Sequence, residues 1–261
     1  MSIELPPTIE VTSRKLNAKV RRIVIGCGQQ TLLQIHKLIG RYSLIGDHPF
    51  FSPQQFPWHE SLTSNWGTIR AELDEVLKKR EHLPNIQELS PDQAEITEGD
   101  NWKTFFFFAY GLTAEPNCRR CPETARLLKS VPGIKTAFFS ILKPHAHIPE
   151  HCGAYKGVIR YHLGMIVPKP EEACRIKVGG QTAHWREGEG IFFDDTFPHE
   201  VWNDTDGLRV VLLMDVVRPL RFPISLLNAF IIRLIAASPF IQDAARNYEQ
   251  WERRVSAIWD K

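Results

Sequence analysis

The sequence lacks three features that often assign a chain to a functional class. It has no excess of charge of one sign, with 32 lysines and arginines against 30 aspartates and glutamates, so its charge predicts no nucleic-acid partner. It has no long hydrophobic run, because the most apolar stretch, residues 224–237, is too short to span a bilayer. Nothing among the first residues indicates a signal peptide, since the apolar residues 23–25 are too few.

Cysteine is also scarce. Five cysteines cannot all pair internally, and we expect a reducing, cytoplasmic setting. Cys118 and Cys121 form a CRRC motif without a second pair, which argues against zinc and leaves two interpretations, ordinary loop thiols or an exposed redox pair. Gly26 and Gly28 open no complete dinucleotide fingerprint, and the basic residues between positions 14 and 22 indicate a solvated face.

Hydrophobic periodicity predicts a mainly β protein with flanking helices. Apolar residues recur at helical spacing over residues 66–79, and shorter helices are predicted over residues 31–39 and 124–129. From Trp102 onward, short apolar runs separated by turn residues indicate a sandwich or barrel. The predicted strands cover residues 105–108, 136–142, 158–167, 174–178, 190–193 and 210–217.

Histidine and arginine side chains lie in or beside one of these apolar strands. Arg160 and His162 fall inside a predicted strand, and His151 comes shortly before it. Such side chains are costly in a sheet interior unless a partner satisfies them, so they are either paired structural residues or ligands of a metal and an anion. His147 and His151 have the four-residue spacing of helical zinc ligands, but Pro149 between them excludes that arrangement.

A second histidine and a second arginine lie far downstream. His199 follows His151 by about fifty residues, which suits a metal held between neighbouring strands of a small barrel. Arg209 opens the run RVVLLMDVV, and an arginine directed into a barrel must meet an anion. That anion is either a dicarboxylate such as 2-oxoglutarate, which also chelates non-haem iron, or an aspartate such as Asp206 or Asp215. Spacing alone leaves these two interpretations equal.

Five stretches resemble, in order and spacing, the aspartyl/asparaginyl β-hydroxylase family of iron(II)- and 2-oxoglutarate-dependent dioxygenases. They are DNW (100–102), FFSILKPHAHIPEHCG (138–153), RYHLGMIVP (160–168), FFDDTFPHEVW (192–202) and LRVVLLMDVVRP (208–219). The resemblance implies a double-stranded β-helix, a jelly-roll or cupin-like core of two facing sheets, with N-terminal helices and a C-terminal helix outside it. It also implies an enzyme that uses iron(II), 2-oxoglutarate and O2 to hydroxylate an unactivated C–H bond.

The same resemblance implies roles for individual residues of this chain. The implied iron ligands are His151 and His199, with Asp195 near the metal, orienting a water or a ligand. The implied 2-oxoglutarate contacts are Ser140 and Arg209 at the distal carboxylate, and Trp102, Arg160 and His162 elsewhere.

A carboxylate that most enzymes of this chemistry use to bind iron is missing. Its position, two residues after the first histidine, is occupied by Gly153. The resembled family shares this absence, which implies water at that coordination position, with a distant carboxylate or a halide as the alternatives. Glu150 is a poor substitute, because it would point to the opposite face of an extended chain from His151.

A rival interpretation from another class uses the same segments. PHAHIPEHCGAYKG resembles the first motif of metal-binding cupins, with His145, His147 and Glu150 as ligands. HEVWN, beginning at His199, has the spacing of the second motif. This interpretation predicts a non-oxidative metal-binding cupin and leaves Arg209 without a role.

We expect three stretches of chain. Residues 1–98 would pack on the core, residues 99–219 would form the dioxygenase domain, and residues 220–261 would form a C-terminal helical segment.

The family resemblance favours a small-molecule or peptidyl substrate carrying an aspartyl- or asparaginyl-type carboxylate, which would be β-hydroxylated. The acyl chain of lipid A or ornithine lipid is the alternative. Residues 221–241 bear on this choice. An apolar helix face buried on the barrel is expected for the carboxylate. An open face, with peripheral contact at the inner face of a membrane, is expected for the lipid.

Overall fold

The computed structural model describes residues 32–259, in which helices lie mostly before and after a run of strands. The helices are α1 (32–42), α2 (His59–Ser64), α3 (Trp66–Leu77), α4 (Ile86–Leu89), α5 (Glu115–Arg120), α6 (Pro122–Lys129), α7 (Ile224–Ala236) and α8 (Pro239–Trp259). Short 3₁₀ turns cover Pro53–Gln55, Arg80–His82, Pro91–Glu95 and Glu171–Ala173. The strands are β1 (Phe50–Phe51), β2 (Trp102–Ala109), β3 (Leu112–Thr113), β4 (Ile134–Leu142), β5 (Ala146–His151), β6 (Val158–Ile166), β7 (Cys174–Val178), β8 (Gln181–His184), β9 (Gly190–Phe193), β10 (His199–Asn203) and β11 (Arg209–Val217).

The strands form two antiparallel sheets that pack face to face. The larger sheet has seven strands in the order β1-β9-β6-β11-β4-β2-β3, and the smaller has four in the order β5-β10-β7-β8. Strands far apart in the chain are neighbours, since β11 lies between β4 and β6. The predicted fold, a double-stranded β-helix with flanking helices, is therefore confirmed.

The strand predictions succeeded where apolar residues run together. All six predicted strands are present, whereas β1, β3, β5, β8 and β10 were not predicted. β5 alternates the buried Ala146 and Ile148 with the exposed His147 and Pro149, and β10 has Val201 as its one buried apolar residue between the buried His199 and Asn203, so neither forms an apolar run. Pro149 is tolerated within β5 because β5 is an edge strand, where a missing N–H breaks no ladder.

Helices cover the outer face of the seven-stranded sheet and form the larger core with it. Ile69, Leu73 and Val76 lie at helical spacing on α3 and are buried, as the sequence predicts. They belong to the same buried cluster as Phe105 and Phe139 of the sheet. Because burial of each such side chain contributes about 1.5–3 kcal/mol, this layer is a rigid support for the opposite face of the sheet.

The inner face of the same sheet is directed towards the smaller sheet. Side chains alternate along a strand, so Arg209, Val211, Leu213 and Asp215 share one face of β11. Val211 and Leu213 belong to the buried cluster between the sheets. This register places Arg209 and Asp215 on the inner face as well, at the two ends of one strand.

Three expectations about the flanking stretches need correction or qualification. The stretch expected to pack on the core also adds a strand to it, because β1 pairs with β9. The C-terminal segment contains two helices, α7 and α8, rather than one. Cys118 is buried within α5 and Cys121 is buried in the bend between α5 and α6, so they are not an exposed redox pair, and Cys118 is not in a loop. The three-stretch division itself stays a prediction.

Some predictions fall wholly or partly outside the part of the chain that the structure describes. The basic residues between positions 14 and 22, Gly26 and Gly28 lie outside it, as does the first residue of the helix predicted over 31–39. Within residues 32–259, no single helix has the length and apolar character to cross a membrane, although α7 and α8 taken together, bent by 46°, meet both criteria.

Candidate active site

Two histidines stand opposite each other on neighbouring strands of the smaller sheet. His151 ends β5, His199 begins β10, and the antiparallel register pairs them directly. Their ring centroids lie 4.0 Å apart, with the ring planes inclined at 52°. The two histidines expected on neighbouring strands are thus brought together by two strands that were not predicted, and the binding of a metal there stays a prediction.

Each of these rings is held in the tautomer that a metal ligand requires. Nδ1 of His151 lies 2.8 Å from the carbonyl oxygen of Pro149, and Nδ1 of His199 lies 3.0 Å from that of Phe197. A carbonyl oxygen only accepts, so each Nδ1–H donates and each neutral ring keeps its lone pair on Nε2.

Burial also keeps both rings neutral. It lowers the pKa of His151, and together with the neighbouring His151 it lowers the pKa of His199 to about 3. Two neutral imidazoles with free Nε2 atoms fit a divalent iron ion. Within residues 32–259, no cluster of three or more His, Cys, Asp and Glu side chains has a metal-site arrangement.

Gly153 lies where the missing carboxylate would start, and the carboxylate of Asp195 occupies the adjacent space. A Cβ built on Gly153 would come within 3.0 Å of Cγ and both carboxylate oxygens of Asp195. The backbone N–H of Gly153 donates to the carbonyl oxygen of Asp195 at 2.6 Å. Glycine is therefore required at 153, because Asp195 supplies a carboxylate to this region from the turn before β10.

Arg160 connects that carboxylate to the larger sheet. Its guanidinium donates to both oxygens of Asp215, at 2.8 and 3.1 Å, and lies 3.1 Å from Oδ2 of Asp195. Burial by itself would lower the pKa of Arg160, but the two carboxylates raise it, so Arg160 is a permanent cation. Arg160 lines the same cavity as the histidines, and its predicted contact with 2-oxoglutarate stays a prediction.

Arg209 is a buried cation without a carboxylate partner among residues 32–259. It is 1 % exposed, its Nε has no hydrogen-bond acceptor, and Nη1 lies 3.4 Å from Oγ of Ser140. That hydroxyl also accepts a hydrogen bond from the indole of Trp102 at 3.0 Å. Burial lowers the pKa of Arg209 to about 10, which leaves it charged at physiological pH.

The alternative interpretation of Arg209 as half of an internal ion pair is wrong. Asp215 pairs with Arg160, and Asp206 lies 2.9 Å from the ring of His145. The guanidinium instead lies over the ring of Trp185, 4.7 Å from its centroid. A buried guanidinium beside a hydroxyl fits the distal carboxylate of a dicarboxylate ligand. That carboxylate would supply the negative charge that Arg209 lacks as a partner.

His162 lies beside this arginine and is equally unsatisfied. Neither ring nitrogen has a hydrogen-bond partner in the described part of the chain. The ring stacks near Trp185, with centroids 5.9 Å apart, and meets Phe193 edge to face at 5.0 Å. Burial is the main cause that lowers the pKa of His162 far below its ordinary value, and the charges of Arg209 and Arg160 lower it further. The imidazole is therefore neutral, with one nitrogen that can donate a hydrogen bond and one that can accept.

The cupin interpretation is wrong about its ligands. His145, His147 and Glu150 are exposed, whereas His199 is buried. Nε2 of His147 lies 2.8 Å from Glu200, on the outer side of the sheet. The side chains that this interpretation needs therefore point away from the space between the sheets.

A cavity of about 810 Å³ opens at the histidine pair. From His151 and His199 it extends along the apolar side chains of Phe106, Phe108 and Val158 to the two C-terminal helices. Its far wall is formed by Ile235, Phe240, Ile241, Ala244, Ala245 and Tyr248. Most of this lining was not predicted, because the residues belong to elements that lie far apart in the sequence.

A buried charge cluster behind the histidines was also missed. The fully buried Asp194 accepts hydrogen bonds from Lys156, at 2.6 Å, and from Arg218. These contacts hold the turn that carries Asp195 and leads to His199. The paired aspartates at 194 and 195 were the available signal, but the sequence does not reveal that one faces the site and the other faces away.

Residues 221–241 do not bury their apolar face as expected for a carboxylate substrate. On α7 only Asn228 and Ile232 are buried, whereas Leu226 is 63 % exposed and Phe230 is 56 % exposed. α7 therefore packs on the barrel through one side, where Ile232 is buried with Tyr155 and Val158, and leaves the rest of its apolar face exposed. An exposed apolar face is the arrangement expected for a lipid, and of α7 Ile235 also lines the cavity.

Comparison with known proteins adds a family match and named relatives. The family described as Aspartyl/Asparaginyl beta-hydroxylase matches residues 63–219. The ornithine lipid ester-linked acyl 2-hydroxylase of Rhizobium tropici is 40 % identical over 217 residues, which is 83 % of this chain and 77 % of that protein.

The human aspartyl/asparaginyl beta-hydroxylase is 32 % identical over 179 residues, which is 66 % of this chain but only 23 % of that protein. Among solved structures, a Pseudomonas putida prolyl-4-hydroxylase matches with a TM-score of 0.38 and 16 % identity, over 59 % of this chain and 87 % of that one. The two sequence relatives are named as hydroxylases.

Proposed function

The chain belongs to the aspartyl/asparaginyl β-hydroxylase family, and from that premise we propose that it is an iron(II)- and 2-oxoglutarate-dependent hydroxylase of a lipid acyl chain. The observation that carries the proposal is the cavity, whose mostly apolar wall runs from the pair of metal-ready histidines to Ile235 of α7 and to one side of α8. Iron(II), 2-oxoglutarate and O2 would together supply the oxidising power, with succinate and CO2 as co-products.

The residues of the chain would divide the binding work between the two sheets. Nε2 of His151 and of His199 would hold the metal from the smaller sheet. Arg209 and Ser140 would hold the distal carboxylate of 2-oxoglutarate from the larger sheet. This carboxylate would form the ion pair that Arg209 does not make within the described chain. Asp195, fixed by Arg160, would orient a water or ligand beside the metal.

Two observations support an acyl chain as the substrate. The cavity wall beyond the histidines is mostly apolar and ends at α7 and α8. The Rhizobium relative, which this chain matches over most of its length, is named for the 2-hydroxylation of an ester-linked acyl chain of ornithine lipid. A lipid of that kind would lie at the inner face of a membrane, so we also propose a cytoplasmic protein with peripheral membrane contact through residues 221–241.

The test is reconstituted turnover. The purified chain is incubated with iron(II), 2-oxoglutarate and O2, together with ornithine lipid in detergent micelles, and the acyl chains are analysed by mass spectrometry. We expect one added oxygen per acyl chain, with stoichiometric succinate. His199→Ala should abolish both products, whereas His184→Ala, at an exposed position on β8, should retain them.

Three outcomes would contradict the proposal. They are turnover without 2-oxoglutarate, full activity in His199→Ala, and oxygenation of an aspartyl or asparaginyl peptide in place of the lipid. The last of these would restore the carboxylate substrate that the sequence favours, on the same metal site.

A further inference from the structure

Exposed apolar side chains are confined to two segments of the described chain. Across residues 32–259, every large hydrophobic side chain that is exposed lies in residues 32–44 or 222–240. They are Leu32, Leu33, Leu38, Leu44, Phe222, Leu226, Leu227, Phe230, Leu234 and Phe240. Scattered single exposed hydrophobics need no explanation, but a concentration of this kind marks an interaction surface.

The two segments form one continuous surface, because they pack on each other. Ile39 of α1 and Ile232 of α7 belong to the same small buried cluster, together with Leu220. The backbones are also joined, since Leu44 N–H donates to Pro219 O at 3.0 Å and Arg221 N–H donates to Tyr42 O at 3.0 Å. The buried sides of α1 and α7 hold the helices together, so their outer apolar sides face the same solvent region.

The charge of these segments is of one sign. Residues 32–46 and 219–242 contain no aspartate or glutamate, although acidic and basic residues are almost balanced over the whole chain. Lys37, Arg41, Arg221 and Arg233 lie within them and are exposed. Apolar side chains rimmed by cations are the pattern of a surface that meets anionic lipid headgroups and the acyl layer beneath them.

We propose that residues 32–44 and 222–240 form a membrane-docking surface whose occupant is an anionic lipid leaflet. The apolar side chains enter the acyl boundary, and the four cations meet the headgroups. The proposal deepens the proposed function and rests on it for its biological purpose, whereas binding to a bilayer requires no catalysis.

The docking surface is joined to the active-site cavity by fixed contacts. Tyr155, in the loop after His151, lines the cavity and donates a hydrogen bond to Asn228 of α7 at 2.7 Å. The side chain of Asn228 in turn donates to the carbonyl oxygen of Gly157 at 2.9 Å. Ile235 and Phe240, at the end of α7 and the start of α8, line the same cavity. A bilayer on the docking surface would therefore lie beside the route to the histidines.

The test is vesicle flotation of the full chain. We expect the protein to float with vesicles of equal parts phosphatidylglycerol and phosphatidylcholine, and to bind pure phosphatidylcholine much more weakly. The double variant Leu226→Ser, Phe230→Ser should lower the partition coefficient at least about tenfold on the anionic vesicles. Leu33→Ser on α1 should lower it in the same direction, because the surface spans both segments.

Two double variants that remove the same net charge distinguish an effect of the docking-surface cations from an effect of the protein's total charge on vesicle binding. Arg221→Gln, Arg233→Gln should lower partition to anionic vesicles by about fivefold per cation and leave partition to neutral vesicles unchanged. Lys78→Gln, Arg126→Gln removes the same charge from exposed positions just after α3 and on α6, outside the docking surface, and should bind as the wild type does. Circular dichroism confirms that each variant is folded.

Several results would overturn this proposal. They are failure of the wild type to bind anionic vesicles, binding by the Leu226→Ser, Phe230→Ser variant at wild-type strength, and a solution dimer that those two substitutions dissociate. Lipid hydroxylation in detergent micelles tests the proposed enzymatic function separately from membrane docking. The Leu226→Ser, Phe230→Ser variant should retain this hydroxylation although it binds vesicles weakly. Vesicle binding without any hydroxylation would remove the proposed function and leave the docking surface standing.

Discussion

Gly153→Ala should disturb the candidate active site through one specific clash. The new methyl group would lie within 3.0 Å of Cγ and both oxygens of Asp195, a distance that real Cβ atoms essentially never show. The backbone N–H of residue 153 is tied to the carbonyl oxygen of Asp195 at 2.6 Å, so the two chain segments cannot simply separate. The carboxylate of Asp195 must rotate away from Arg160 instead.

The cost follows from what Asp195 loses. Its contact with Arg160, at 3.1 Å, is a buried charge-assisted interaction, and losing such a contact costs about 1.5–3 kcal/mol. The larger penalty for stranding a buried charge does not apply in full, because Arg160 keeps both hydrogen bonds to Asp215 and because burial raises the pKa of Asp195 to about 6, so that Asp195 can take up a proton. We expect Gly153→Ala to lower the free energy of unfolding by about 1.5–3 kcal/mol.

A double-mutant cycle with Asp195→Ala measures this clash directly. In the Asp195→Ala background no carboxylate opposes the new methyl group, so Gly153→Ala should cost less than about 0.5 kcal/mol. Urea denaturation of the four proteins supplies the free energies. Additive effects, or a Gly153→Ala variant as stable as the wild type, would refute the argument that Asp195 fills the space of the missing carboxylate.

Three further predictions concern the co-substrate, the acid response and the core. Arg209→Ala should weaken 2-oxoglutarate binding by about 2–5 kcal/mol and Arg209→Lys by less, measured calorimetrically; equal affinities would remove Arg209 from the site. The metal-free protein should lose stability as the pH falls below about 6.5, because the unfolded state protonates His199 there while its folded pKa is about 3. Urea midpoints at several pH values test this, and His199→Asn should make the dependence shallower, leaving the contributions of His151 and His162, whose pKa values are also lowered in the folded protein. Leu73→Ala should cost about 2–5 kcal/mol without changing iron affinity, since Leu73 packs only on the outer face of the sheet; a weakened metal site would contradict that separation.

The sequence predicted the elements whose buried side chains run together or repeat at a fixed period. α3 and the long strands β4, β6 and β11 are of this kind, since one physical signal, burial of an apolar row, determines each of them. β5 and β10 escaped prediction because they are short and neither contains a run of apolar residues. These two strands matter because they carry His151 and His199, and a single histidine contributes no hydrophobic periodicity from which a strand could be predicted.

Partners in space were harder to predict than positions along the chain. Spacing alone could not decide whether Arg209 pairs with an aspartate or binds a ligand. The answer depends on Asp215 being paired with Arg160 instead of Arg209. The apolar stripe of α7 was visible in the sequence, but whether a neighbour covers it was not. Periodicity identifies a face, and only the packing of other elements determines whether water or protein meets it.

The uncompensated guanidinium of Arg209 has a consequence for the lifetime of the protein in a cell. A cation enclosed without a counter-ion destabilises the ligand-free fold, and a bound dicarboxylate removes that penalty. By mass action, ligand at about 100 times its dissociation constant would stabilise the fold by about 2.7 kcal/mol. The ligand-free chain would therefore unfold more often, and proteases would clear it faster. Its abundance would then follow the supply of the dicarboxylate that we propose as its ligand.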